Sequence, residues 1–249
     1  MLGIIRSELL KMRHTFSRKS VIMAPLITLL LSYLLNGSYT QLSAYNWWYF
    51  MILPLIVTLW TADMLIREEK TGMQNIVCLP VRFDKIWLGK AAASVALLFT
   101  ANLLLWLSTT AAGFVTKVRV SPLDGLIGCM LLFLTYLWQV PFIMLLVSFI
   151  GYLPTVFISM AANTILSAAY AETEWFLFVP YAIPARIVCP FFKMHISGIP
   201  LENGSPLLSD GYVLPALIVS LAFALVILWG SLKLFPKGGR THERILPIS

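Results

Sequence analysis

Residues 126–169 read LIGCMLLFLTYLWQVPFIMLLVSFIGYLPTVFISMAANTILSAA, a run of 44 residues without one charged side chain. At 1.5 Å rise per residue, a helix needs roughly 20 apolar residues to cross a hydrocarbon core about 30 Å thick. The run is twice that length, so two crossings share it. The break belongs between Ser148 and Pro154, where Gly151 and Pro154 weaken the helix and proline turns its predecessor away from helical geometry.

Working outward, the same reading applies to most of the chain. Of its 249 residues 59% are hydrophobic and 12% charged, whereas ordinary soluble domains carry roughly a quarter charged residues. The pattern predicts an all-α integral membrane protein of about six transmembrane helices, the chain forming one membrane domain over 1–249. The expected spans are about 20–39, 46–66, 91–115, 126–147, 154–170 and 212–235. Before them, Leu2, Ile5, Leu9, Met12 and Phe16 recur at helical spacing among Arg6, Glu8, Lys11, Arg13 and His14. Residues 1–19 therefore read as an amphipathic helix lying in the membrane interface. No small-residue cleavage site follows the first apolar run, which is expected to stay in the mature protein. Between about 171 and 210, Pro180, Pro184, Pro190 and Pro200 argue against a straight lipid-facing helix and for short interfacial or re-entrant pieces outside.

The formal charge of +7 reports orientation. Five Lys and Arg precede the first span, five lie between Arg67 and Lys90, and four near the C-terminus, making fourteen of eighteen on one side. Basic residues accumulate on the cytoplasmic face, so both termini are expected there, and nucleic acid is not the implied partner. Lys117, Arg119, Arg186 and Lys193 remain outside. Cys78, Cys129 and Cys189 are far apart and lack metal-ligand spacing, which suggests neither a zinc site nor a disulfide framework.

Catalytic chemistry finds little footing. No GxxxxGK[ST] phosphate loop exists, because Gly89 and Lys90 lack the upstream glycine and the following Ser or Thr. His14, His195 and His242 fall outside the spans, where no paired titratable groups at membrane depth suggest an enzyme. Asp63, the one acidic residue within a span, precedes Arg67 by one helical turn and reads as an interfacial ion pair. Asn102, Gln139 and Asn163 read as amides bonding across helices.

Two regions remain as candidate sites. The loop carrying Arg67, Glu68, Glu69, Lys70, Arg82, Asp84 and Lys85 is the long cytoplasmic one, a charged surface fit for docking; a merely solvated charged turn is its rival. On the outer side, Glu172, Glu174, Trp175 and Phe176 suggest an acidic and aromatic mouth for a cationic substrate, against an ordinary aromatic belt.

The order of features also carries a resemblance. It rests on Ser-Glu-Leu-Leu-Lys at Ser7 to Lys11, Tyr-Asn-Trp-Trp-Tyr at Tyr45 to Tyr49, and Cys-Leu-Pro-Val at Cys78 to Val81, followed by Lys85, Ile86 and Trp87. The chain resembles the permease subunits of lantibiotic self-protection ABC transporters, within the ABC-2 exporter class. The resemblance implies a multi-pass protein of the bacterial cytoplasmic membrane, paired with a second, different permease and with a dimer of a separate cytoplasmic ATPase. ATP and Mg would act through that ATPase, with no cofactor bound by this chain. The implied cargo is a lantibiotic or similar cationic antimicrobial peptide expelled from the membrane. An ABC-2 permease for another amphipathic substrate and a non-transporting scaffold or sensor are the alternatives.

Overall fold

The computed structural model describes residues 2–13, 15–70, 83–202 and 204–238, with the side chains of all helical residues except 2, 68–70, 83 and 235–238. The described helices are α1 (Leu2–Lys11), α2 (Phe16–Asn36), α3 (Thr40–Trp47), α4 (Leu53–Lys70), α5 (Phe83–Gly113) and α6 (Pro122–Tyr136). They continue with α7 (Gln139–Ile150), α8 (Tyr152–Tyr170), α9 (Ala182–Ile187), α10 (Cys189–Phe192) and α11 (Val213–Gly238). Among the described residues there is no sheet, only an isolated bridge between Met194 and Pro200.

Five apolar helical stretches are long enough to cross a membrane: Phe16–Arg67, Asp84–Gly113, Pro122–Ile150, Tyr152–Tyr170 and Val213–Leu234. The first, at 52 residues, folds back on itself. Gly37 caps α2 at φ 44, and α2 packs along both α3 and α4, so the stretch is a hairpin of two helices. The described residues therefore form an all-α membrane protein with five candidate spanning stretches, the first of them a hairpin, and a shorter apolar stretch.

Local chemistry sets the breaks. Thr15 caps α2 by accepting from the Arg18 amide at 3.3 Å. Ser121 caps α6, accepting from the Asp124 amide at 3.1 Å and donating to its carboxylate at 2.8 Å, with Pro122 in the first turn. Within the charge-free run the chain reverses at Gly151, whose φ of 80 and ψ of −177 suit glycine alone. The span before it is broken as well. Helix α6 stops at Tyr136 and α7 restarts at Gln139, and Pro141 cannot give an amide hydrogen to the carbonyl of Leu137.

Helix α4 is central, packing on α2, α5, α7 and α8. The two ends of the bundle are tied by different contacts. At one end Ser17 donates to Asp63 at 2.7 Å, Lys90 pairs with Glu8 at 3.0 Å and Trp87 donates to Ser231 at 2.9 Å. At the other, Gln41 donates to the Thr109 carbonyl at 3.0 Å and accepts from the Arg119 amide at 2.7 Å. The first end carries the basic excess, the side that the distribution of Lys and Arg assigns to the cytoplasm.

Between α8 and α11 the chain turns back into the bundle. The short apolar stretch Ala182–Phe192 packs on α6, α8 and α11 without crossing. Phe192 stacks on Tyr45 at 4.0 Å and fills the space over Gly128, where a Cβ would lie 2.2 Å from its ring.

Candidate functional site

The inner end holds a buried ion pair at the foot of the long loop. Helix α1 lies against α5, and its Glu8 is 3% exposed although it sits in a run of exposed charges. The partner, Lys90, is also 3% exposed. Lys90 Nζ stands 3.0 Å from Glu8 Oε2 and donates to the carbonyl of Met64 at 2.7 Å, while Lys11 reaches Glu8 Oε1 at 2.5 Å. One ammonium thus joins α1, the last turns of α4 and the first turns of α5, the last two being the legs from which the loop emerges. Close packing requires a glycine here, since a Cβ on Gly89 would lie 2.4 Å from Ile4 Cγ2. Such a pair adds little net stability but fixes geometry, because either charge left alone in that site is costly.

Asp63 accepts from Ser17 and pairs with Arg67 Nε at 3.0 Å, so its carboxylate is held at the interface. The other loop residues are distributed as follows. Glu68, Glu69 and Lys70 continue α4, and Asp84 and Lys85 open α5, Lys85 exposed and Asp84 half-buried. Arg82 and the side chains of Glu68, Glu69 and Lys70 lie outside the described residues, as do Cys78 to Val81.

At mid-depth the second crossing contains a π-helical turn, Trp48–Ile52. A π turn disrupts the regular carbonyl ladder, and side chains from other helices bind what it frees. Tyr136 donates to the Tyr49 carbonyl at 2.6 Å and Asn163 to that of Phe50 at 2.8 Å. Asn102 accepts from Trp48 Nε1 at 3.1 Å, and Gln139 donates to Ser159 at 3.1 Å. The three amides singled out in the sequence are fully buried and bond across helices, while among the described residues Trp138 Nε1 and Gln139 Oε1 are buried without a hydrogen-bond partner.

The outer end is organised by a hairpin. His195 donates its amide to Ile199 at 2.7 Å and Leu201 to Lys193 at 3.0 Å, and Asn46 and Tyr49 both bind the Ile196 carbonyl. An open cleft of about 610 Å³ follows it, walled by His195, Pro200 and Glu202 among others. Of the four outer residues, Glu172 pairs with His195 Nε2 at 3.0 Å, and Glu174 and Trp175 are exposed. Phe176 is buried against Tyr212, with the Arg186 guanidinium 5.7 Å from its ring centre. The structure thus adds His195, Arg186 and Tyr212 to this region, and Glu8 and Lys90 to the inner one. Nothing local in the sequence marks these pairs, whose members lie far apart or among ordinary surface charges. Among the described residues no three His, Cys, Asp or Glu side chains gather as a metal site.

Comparison with curated proteins yields no match. Against models of protein families, residues 4–171, about two thirds of the chain, match the one described as ABC-2 family transporter protein. That match takes in α1, the tied foot of the loop and the first five crossings, and the chain belongs to the ABC-2 transporter family.

Proposed function

We propose that this permease subunit of an ABC exporter expels lantibiotics or similar cationic antimicrobial peptides from the membrane, giving the cell resistance. Membership of the ABC-2 family makes the chain a transport subunit associated with an ABC ATPase. The finer reading is supported by the resemblance of its N-terminal helix, aromatic run and loop to lantibiotic self-protection permeases. A second, different permease completes the assembly in this reading.

The observation that carries the mechanical part is the Lys90 junction. A subunit without its own phosphate loop receives work through contacts whose strength differs between ATPase states. A force on the loop reaches the membrane only if the loop's legs are stiffly joined to the bundle, and Lys90 joins both to α1. Arg67, Glu68, Glu69, Lys70, Arg82, Asp84 and Lys85 then form the docking surface, and Glu172, Glu174, Trp175 and Phe176 the outer exit.

Cells expressing this chain with its ATPase and sister permease are expected to tolerate a cationic lantibiotic better and to hold less of it on their membranes. Unchanged tolerance across a panel of lantibiotics, with the complex shown to assemble, refutes the peptide reading.

A further inference from the structure

We propose that Arg186 anchors an oxyanion-binding site at the outer membrane interface, which takes the phosphate or carboxylate headgroup of an amphiphile. Helix α9 carries this arginine back into the bundle between α6, α8 and α11. Its guanidinium lies over the ring of Phe176, and its Nη1 is buried without a hydrogen-bond partner. Glu172, a carboxylate of the same outer segment, pairs with His195. A buried guanidinium nitrogen is costly to leave unmatched, and its planar fork fits carboxylate and phosphate oxygens two at a time.

The surroundings point to an amphiphile rather than a free ion. Trp175 and Phe178, 66% and 77% exposed and in contact at 5.9 Å, stand on the same short turn as Phe176. Tyr212, against Phe176, begins the last crossing. Aromatic side chains of this kind mark the headgroup level. An apolar tail running along them leaves its headgroup beside Arg186. Binding of this kind does not depend on the peptide-export reading and is measured without the ATPase.

The test uses the full chain in micelles of dodecyl maltoside, a detergent without charged groups. Tryptophan quenching by brominated dodecanoate is competed with dodecyl phosphate, dodecanoate or dodecyltrimethylammonium. Both anions are expected to displace the quencher at concentrations at least tenfold below the cation. Because the quencher is itself an anion, the variants are titrated with it directly: Arg186→Gln should raise its half-quenching concentration about tenfold, with Arg186→Lys intermediate. A lower midpoint for the phosphate identifies a lipid headgroup as the ligand, and a lower one for the carboxylate identifies a carboxylate-bearing amphiphile. Equal midpoints for anions and cation in the unaltered chain, or a half-quenching concentration unmoved in R186Q, overturn the proposal. Should R186Q not fold, Phe176→Leu, which keeps the charge and removes the ring beneath it, should weaken anion binding several-fold, and no weakening overturns the site.

Discussion

Lys90 is 82 residues from Glu8 in sequence and 3.0 Å from it in space. Glu8→Ala takes the carboxylate at 3.0 Å from a buried ammonium and is expected to cost up to about 3–5 kcal/mol. The double variant E8A/K90A should recover part of this loss, since the ammonium is removed with the carboxylate it pairs with. Thermal unfolding of the purified chain measures both; equal destabilisation by single and double variants contradicts the buried pairing. At the outer end Gly128→Val should force Phe192 from its place on Tyr45, because a Cβ there falls 2.2 Å from the ring. Phe192→Ala in the same chain should relieve the clash, seen as a partly restored unfolding temperature.

Elements rather than single residues explain why the crossings are broken. The π turn at Trp48–Ile52 and the gap between α6 and α7 interrupt the regular helix, and two carbonyls of the π turn are bound by Tyr136 and Asn163. Asn163→Ala removes the amide that donates to the Phe50 carbonyl and the oxygen that accepts from Tyr136, a loss of about 1–3 kcal/mol. Thermal unfolding reads it directly. The re-entrant stretch makes its own prediction. Burial pushes the Cys189 thiol up to about 12, with Arg186 lowering it and Glu172 raising it by smaller amounts. At pH 8 the folded chain therefore carries almost no thiolate there, and an impermeant maleimide added outside should leave Cys189 unlabelled until the protein is denatured. Rapid labelling of the native protein contradicts the buried placement.

The same elements show what the sequence reveals and what it hides. The charge-free run splits where expected because Gly151 offers a backbone angle no other residue adopts easily, and that is a local property. The prolines between 180 and 200 likewise announce short pieces, and the buried amides announce bonds between helices. The π turn has no such mark, since WYFMI reads as continuous helix. Glu8 is hidden for a different reason: in a run with Arg6, Lys11 and Arg13 it looks like one more solvated charge, and only the approach of α5 distinguishes it. Arg186 and the Glu172–His195 pair share that fate, because they depend on how the segment between α8 and α11 returns to the bundle.

For the molecule as a whole, the basic excess and the tied inner end agree on one orientation. The N-terminal helix, the foot of the long loop and the end of α11 meet at the same face, joined through Glu8, Lys90, Trp87 and Ser231. Under the proposed function, work from a cytoplasmic ATPase passes to the membrane through the segment that joins α4 to α5. Replacing Glu68 and Glu69 by Lys tests this most directly, because it removes two of the three carboxylates of the docking surface while strengthening the basic bias that sets topology. The account predicts that the ATPase no longer co-purifies with the assembled permeases and that tolerance of the exported peptide falls to the level of cells lacking the transporter. Full co-purification together with undiminished tolerance contradicts it.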